Sequence, residues 1–433
     1  MLFFLLLGCQ ISPQRKAWVH QVLVDDNMIW SNRLGLLSNK FTVMNDHPYD
    51  FMRGSLSLHI QEIQRISTER TEFNLKNDDS VLFFQIGDPH PENLTVSVHP
   101  EEPDRYQVFW TDLDAGSFGP WYWDIRRAGV GLWFFANSIG CDCVDLLLPS
   151  LINGYIDQSF IDEEYIFDSA IILDLVAEAR EEGAIAKKFD KYTTDGRIDL
   201  NESLNEEGKG VLALTTEEDI QLERLLEQLS FDGKILDRAR RFGTGVSSRP
   251  AIRYVVALED EITERSELVL IREVVDSFPL MPYDNYFDNN AQRVEEPAQW
   301  IWRSPSPDPR YQAVQDGHVS FKVVGWNSYL QDIERDKVGD GFADGSYTTE
   351  DVVDLAEEVG ASLYLAHSRA PLYDGRDSKP ILDKILQHGE RIVVTNILAD
   401  MIEKDVLRLQ EDYELFKILF EEKGSTLGIE HIG

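Results

Sequence analysis

Residues 85–96 read Gln-Ile-Gly-Asp-Pro-His-Pro-Glu-Asn-Leu-Thr-Val, and this stretch decides the interpretation of the whole chain. It begins at the end of a continuous apolar run, residues 81–86, of the kind that forms a buried strand. The two prolines exclude a helix after that strand. We therefore expect a tight loop in which Asp88 and Asn93 face one pocket.

A second block, residues 109–124, reads Phe-Trp-Thr-Asp-Leu-Asp-Ala-Gly-Ser-Phe-Gly-Pro-Trp-Tyr-Trp-Asp. Asp112 and Asp114 come directly after a second predicted strand, so neighbouring strands would deliver them to the same edge as Asp88 and Asn93. Carboxylate and amide oxygens are the ligands that Mg²⁺ prefers. A proton-accepting aspartate beside such ligands supplies the parts of a phosphoryl-transfer site. Either block alone could equally be an ordinary turn or a solvated strand end, so the expectation depends on both.

These blocks resemble the catalytic and metal loops of the protein-kinase-like and aminoglycoside-phosphotransferase-like superfamily. The closer resemblance is to an uncharacterised bacterial family, domain of unknown function 2252. Its motifs are matched by Asp50-Phe-Met-Arg53-Gly54-Ser55, Gly87 to Asn93, Asp112 to Asp124, Phe242 to Tyr254, Leu270-Ile-Arg272-Glu273 and Leu363-Tyr-Leu-Ala366-His367.

The resemblance implies an α+β, bilobal, protein-kinase-like fold. The catalytic loop precedes the glycine-rich hairpin here, whereas ordinary kinase-like proteins have the reverse order, so the fold would be circularly permuted. Permutation is tolerated when the original termini lie close together at the surface. Residues 40–235 would form the first part of a helical large lobe, 236–345 a small β-rich lobe, and 346–433 the helices that complete the large lobe.

The resemblance also assigns roles to individual residues and implies Mg²⁺ and ATP as cofactors. Asp88 would be the catalytic base, with Asn93 in the catalytic loop. The metal ligands would be Asn93, Asp112 and Asp114; the nucleotide-binding residues Gly243, Gly245, Ser247 and Arg272; and the supporting residues Arg53, His90 and Asp124.

Two departures from the family pattern bear on nucleotide binding. Arg272 stands where lysine is expected, and the planar guanidinium is not equivalent to a compact ammonium group. The hairpin lacks its third glycine and has Ser248 and Arg249 instead. Arg272 could alternatively be a surface arginine paired with Glu273 or another acid; in the kinase-like interpretation Glu295 or Glu296 would be its partner.

The composition is strongly acidic, with 41 basic and 77 acidic residues and a formal net charge of −36. Such a surface repels phosphate backbones and anionic membranes, so we expect no nucleic-acid partner. An anionic nucleotide would need a local basic patch, for which Arg53, Arg253 and Arg272 are candidates.

Residues 1–9 read Met-Leu-Phe-Phe-Leu-Leu-Leu-Gly-Cys and resemble a bacterial lipoprotein signal with its cleavage box. Cys9 would then carry the lipid, and the protein would be anchored in the cell envelope; without such processing it would be cytoplasmic. The run is too short to span a bilayer and lacks the positive charge of a signal peptide. We expect the other cysteines, Cys141 and Cys143, to be unpaired core residues.

The sequence therefore leaves three functions open. The first is a metal-dependent phosphotransferase that acts on a small-molecule or protein hydroxyl. The second is a catalytically inactive, kinase-like envelope lipoprotein that binds a ligand or partner. The third is other chemistry on the same carboxylates, such as nucleotidyl transfer.

Overall fold

A computed structural model describes residues 12–69, 81–98, 102, 104–161, 165–181, 184–231, 233–259, 266–275, 286–388 and 391–431. The helices are α1 Pro13–Asn27, α2 Leu34–Asp46, α3 Pro48–Gly54, α4 Leu56–Glu69, α5 Tyr122–Ser138, α6 Val144–Asp157, α7 Ala170–Arg180, α8 Ala184–Tyr192, α9 Thr216–Gln228, α10 Asn290–Ile301, α11 Arg335–Asp344, α12 Thr349–Arg369, α13 Lys379–His388 and α14 Arg391–Lys423. The strands are β1 Phe83–Gln85, β2 Leu94–Val98, β3 Tyr106–Trp110, β4 Ser117–Gly119, β5 Thr193–Thr194, β6 Arg197–Ile198, β7 Gly210–Leu212, β8 Lys234–Phe242, β9 Arg253–Glu259, β10 Ser266–Val274, β11 Gln312–Asp316, β12 Val319–Gly325 and β13 Leu330–Asp332. The predicted α+β class is confirmed.

The largest sheet has six strands in the order β11-β12-β10-β9-β8-β7, and all its pairings are antiparallel. Successive side chains of a strand point to opposite faces. In β9, Tyr254 and Val256 join a core with Leu222 and Leu225 of α9, whereas Val255 packs in a separate core on the other face. Both faces are thus covered, which explains the unbroken apolar run of β9.

The helical part is built around α5, α6, α12 and α14, whose buried residues form one continuous core. Helices α6 and α12 approach most closely where each carries a glycine. A Cβ on Gly360 would lie 1.9 Å from the Leu151 carbonyl oxygen, and one on Gly154 would lie 2.1 Å from that of Glu357. The two backbones therefore touch, and larger side chains cannot be accommodated there.

Two small sheets connect these parts and carry the candidate site. Strand β13 pairs with β2, and β2 pairs with β3, both antiparallel. Strands β1 and β4 form a separate antiparallel pair. The loop between β1 and β2, the segment after β3 and strands β10 and β12 consequently meet in one region.

The cysteine prediction is wrong, because Cys141 and Cys143 form a disulfide with a Cα–Cα distance of 5.4 Å. These cysteines lie in the turn between α5 and α6, where the backbone can bring positions two apart into bonding range. Both remain buried, as expected. Cys9 and the apolar run before it lie outside the described residues.

No helix among the described residues combines the length and apolar character needed to cross a bilayer.

Candidate functional site

The loop that carries Asp88 is held in place by hydrogen bonds to the carboxylate of Asp124. Asp124, near the start of α5, accepts hydrogen bonds from the backbone N–H groups of Ile86 (2.6 Å) and Gly87 (3.0 Å). Gly87 has φ +87°, and a Cβ there would lie 2.2 Å from the Ala115 carbonyl oxygen. Only glycine fits this turn, which places the loop directly against the segment that carries Asp112 and Asp114.

Asp124 is itself held by a buried chain of polar groups. His367 Nε2 lies 3.0 Å from its carboxylate, and His367 Nδ1 lies 2.8 Å from the Tyr155 hydroxyl. All three side chains are buried. The motif Leu363-Tyr-Leu-Ala366-His367 therefore acts through Asp124 on the backbone of the Asp88 loop rather than on the cavity.

Asp88 has a defined orientation. Arg127 Nε donates to its carboxylate at 2.7 Å, and the Asn93 amide donates to its carbonyl oxygen at 2.9 Å. Burial raises the pKa of the Asp88 carboxyl, and attraction to Arg127 opposes this shift only in part. The result is an oriented carboxylate that holds a proton more readily than an exposed aspartate, as a general base should.

His90 and Arg53 flank this carboxylate. His90 Nε2 lies 3.9 Å from the Asp88 carboxylate, and Arg53 forms a 2.6 Å ion pair with Glu92 of the same loop. Burial lowers the pKa of His90 well below its ordinary value, and the neighbouring Arg53 and Arg127 lower it further. The imidazole is therefore neutral at physiological pH and contributes packing rather than charge.

Asp112 and Asp114 meet two cations from the six-stranded sheet. Arg272 Nη2 lies 2.6 Å from Asp112 and also contacts Asp114, while Lys322 Nζ lies 3.0 Å from Asp112 and 2.6 Å from Asp114. Arg272 and Lys322 are direct cross-strand partners on β10 and β12. Burial alone would raise the pKa of Asp112, but attraction to the two cations outweighs it and lowers that pKa.

Arg272 thus pairs with acids other than the named candidates Glu273, Glu295 and Glu296. It pairs with Asp112 and Asp114, whereas Glu273 accepts from Arg33 at 2.5 Å and Glu296 accepts from Gln292. Arg272 and Glu273 have different partners because successive side chains of β10 point to opposite faces of the sheet. Helix α10, which carries Glu295 and Glu296, is not ended by Pro297 and continues to Ile301.

The glycine-rich segment is a loop of residues 243–252 between β8 and β9. Gly245 adopts φ +71°, and Ser248 accepts a 2.8 Å hydrogen bond from Arg253. Gly243, with φ +77°, packs against the backbone of residues 208–209. The loop therefore presents Gly245 and Ser247 to the site, while Gly243 turns the chain.

These elements enclose one cavity of about 270 Å³. Most of the predicted site residues line it, namely Arg53, Asp88, His90, Asn93, Asp112, Gly245, Ser247 and Arg272. Asp114 lines an adjoining cavity of about 100 Å³, which also contains Asp26 and Lys40 and shares Asp88 and Asp112 with the first. Asp124 and Gly243 support the walls from outside.

Cationic and acidic side chains meet in this cavity. Arg53, Lys188, Arg272 and Lys322 line it, and Arg253 lies behind Arg272 as its cross-strand partner on β9. Burial lowers the pKa of Arg253 well below its ordinary value, and repulsion from Arg272 adds to this. The cavity therefore brings four cationic side chains together with five acidic ones, Asp88, Glu92, Asp112, Asp308 and Asp332.

The residues present match the ligand chemistry of Mg²⁺ only in part. Within the described residues, no three His, Cys, Asp or Glu side chains are grouped so as to hold a metal ion by themselves. Asp112 and Asn93 nevertheless line the cavity together. Magnesium commonly takes one or two protein oxygens and completes its octahedron with substrate phosphates and water. These two residues fit that mode of binding.

Sequence reasoning missed Lys322 and Arg127. Lys322 interrupts the apolar strand Val319-Ser-Phe-Lys-Val-Val, and Arg127 lies in an aromatic-rich helix. Each side chain is at most 2% exposed. A charge in an otherwise apolar element is costly unless it is paired, so both residues carried a signal that could have identified them.

A family model described as "Uncharacterized protein conserved in bacteria (DUF2252)" matches residues 35–163. The matched region contains Arg53, the loop of Asp88 and the Asp112–Asp124 block, so the part of the site before the six-stranded sheet is similar to that family. The search of curated proteins found no match. The search of solved structures likewise found none.

Proposed function

We propose that this chain is a metal-dependent phosphotransferase that transfers a phosphoryl group from a nucleotide to a hydroxyl acceptor. The observation that carries the proposal is the single cavity in which Asp88, Asn93 and Asp112 face Arg272 and Lys322. A carboxylate base, hard metal ligands and a cluster of cations are together what phosphoryl transfer requires.

In this proposal Asp88 accepts the proton of the acceptor hydroxyl while Arg127 holds the carboxylate in place. The loop of Gly245 and Ser247 covers the phosphates with backbone N–H groups. Mg²⁺, held by Asn93 and Asp112, would neutralise charge on the phosphates when the nucleotide is bound. The bilobal, permuted kinase-like architecture belongs to the same proposal and is supported by the order of the blocks. It is also supported by the contact between the first and last helices, α1 and α14, through Arg15 and Asp412 (2.6 Å), because permutation requires such elements to lie close together.

Lys322 can supply the ammonium group that is missing because Arg272 stands where lysine is expected. The expected strand lysine is absent from β10, but an ammonium group reaches the same two carboxylates from the adjacent position on β12. We propose that Lys322 provides the compact charge for the nucleotide phosphates and that Arg272 orients Asp112 and Asp114. Nucleotide binding would then exchange Lys322 from the carboxylates to the phosphates.

The same ion pairs favour a second function. Because Arg272 and Lys322 neutralise Asp112 and Asp114, the chain could be a stable kinase-like binding protein without turnover. The lipoprotein-like segment at Cys9 supports this alternative. It predicts that nucleotide with Mg²⁺ does not bind.

Thermal unfolding in the presence of Mg²⁺ and ATP, compared with Mg²⁺ alone, separates the two functions. A ligand at a hundred times its dissociation constant stabilises by about 2.7 kcal/mol, which moves the midpoint by a few degrees. The phosphotransferase proposal expects this shift in the wild type and in Asp400→Ala, a surface control on α14, but not in Asp112→Ala. An unchanged wild-type midpoint would refute it and favour the binding protein.

A further inference from the structure

A second and larger cavity, of about 500 Å³, lies next to the candidate site. It shares Phe109 and Trp302 with the first cavity and is otherwise lined by different residues, from β3, the segment of residues 165–167, the end of α10 and α12. Neither the proposed function nor the family match assigns a role to it.

Aromatic rings form much of its wall, and the polar ends of two of them, Tyr106 and Trp302, are hydrogen-bonded. The Tyr106 hydroxyl donates to the Phe167 carbonyl at 2.5 Å, and the Trp302 indole N–H donates to the Trp110 carbonyl at 2.9 Å. Phe109 and Trp302 meet edge to face with 5.2 Å between their centroids. These bonds fix the rings, so the cavity offers rigid apolar faces to a ligand.

Three arginines from separate segments, Arg105, Arg303 and Arg369, also line the cavity, and Asp104 is the one acidic residue among its described lining residues. Arg369 donates to the Ile301 carbonyl at 3.0 Å, and Arg105 lies 3.7 Å from Glu102 in an exposed ion pair. Burial lowers the pKa of Arg369 to about 10, with repulsion from Arg303 as a further cause. Burial and repulsion from Arg105 likewise lower the pKa of Arg303. Three guanidinium groups thus share one cavity wall with a single acidic side chain among the described lining residues.

We propose that this cavity binds an aromatic anion, with a carboxylate or phosphate on the arginines and a flat ring between the aromatic walls. Guanidinium groups match carboxylate and phosphate geometry, and they favour buried anion sites more than lysines do. The cavity volume falls in the usual range for small-molecule sites. The proposal does not depend on the phosphotransferase function.

The test uses two dyes of similar shape, the anion 8-anilinonaphthalene-1-sulfonate and its uncharged relative N-phenyl-1-naphthylamine, titrated against the full chain. We expect saturable binding of the anion at one site and clearly weaker binding of the neutral dye. Arg303→Gln and Arg369→Gln should each weaken the anion by about tenfold, the loss of one charge-assisted contact. Arg376→Gln, which alters an arginine in an exposed ion pair, should have no effect.

Unchanged affinity in both cavity variants, or equal affinity for the two dyes, would overturn the proposal. Displacement from the wild-type chain gives a second test that needs no substitution. Phenyl phosphate or benzoate should release the anionic dye, and benzyl alcohol should not. Release by ATP with Mg²⁺ would place the dye in the neighbouring cavity and would also refute the assignment.

Discussion

Lys322 and Arg272 occupy neighbouring positions of the sheet but have different chemistry. The ammonium group is a point charge that can move between carboxylate and phosphate, whereas the guanidinium holds two oxygens in a fixed plane. Since both cations contact Asp112 and Asp114, the site does not lose its positive charge when one of them changes partner.

Lys322→Met should abolish the midpoint shift given by Mg²⁺ and ATP, because it removes the ammonium group that lies against Asp112 and Asp114. Arg272→Lys is the matched variant and should retain the shift. Breaking a fully buried ion pair costs about 3–5 kcal/mol. Lys322→Met should cost less, because the Asp112 side chain is 32% exposed. Nucleotide binding that survives in Lys322→Met would show that the other cations of the cavity hold the phosphates without Lys322.

Glu358 on α12 gives a prediction about pH. Burial raises the pKa of its carboxyl to about 7, although it accepts hydrogen bonds from the backbone N–H and hydroxyl of Ser169. A group whose folded pKa is raised takes up protons on folding, so its contribution to stability is present below the unfolded pKa near 4.5 and falls as pH rises towards 7.

Denaturant unfolding at about pH 5 and about pH 7 measures this contribution, which is at most about 3 kcal/mol. Glu358→Gln should lose less stability than the wild type between these two values. Glu403→Gln, a surface substitution on α14, should behave as the wild type does. Equal pH dependence in all three proteins would mean that Glu358 is not the titrating group.

At the scale of elements, the contact between α6 and α12 depends on two glycines. Gly360→Ala should destabilise by about 1–3 kcal/mol or more, because the new Cβ would meet backbone rather than a movable side chain. Gly339→Ala on α11 is a suitable control, since the nearest atom to its Cβ would be 3.5 Å away. It should be neutral or stabilising through helix propensity. Denaturation midpoints would decide, and equal effects would mean that the helices can separate at little cost.

The elements also show what local sequence could predict. Periodicity predicts a single amphipathic helix over residues 51–66, but the chain breaks at Ser55, whose hydroxyl donates to the Phe51 carbonyl, and α4 begins at Leu56. Sequence favours Thr349 as the cap of a helix over residues 350–367, whereas Thr348 caps it and forms a capping box with Asp351. Element type follows from local pattern, but boundaries depend on which hydroxyl reaches which backbone group.

The candidate site likewise contains residues that local sequence can identify and residues that it cannot. Asp88, Asn93 and Asp112 could be found because strand ends and loop spacing are local properties. Lys322 could not be assigned to them, because its contact with Asp112 joins residues that are 210 positions apart in sequence and depends on sheet register.

At the scale of the whole molecule, a net charge of −36 opposes compaction through self-repulsion. Raising the salt concentration from about 0.01 M to about 1 M shortens the Debye length from about 30 Å to about 3 Å. We therefore expect the melting temperature to rise with sodium chloride. Buried pairs such as Arg126–Asp405 (2.6 Å) are screened much less than exposed ones. A melting temperature that falls with salt would mean that attractive surface pairs outweigh the repulsion.

The pairing of β13 with β2 has a consequence for how the protein is made. Strand β2 leaves the ribosome long before Leu330–Asp332, its partner on one side, has been translated. At typical rates of protein synthesis the delay is roughly ten to fifty seconds. During that time an apolar strand edge next to the loop of Asp88 remains available to other nascent chains. Cellular yield should therefore respond to chaperones that shield strand edges, and slow translation of the intervening sheet should lower it.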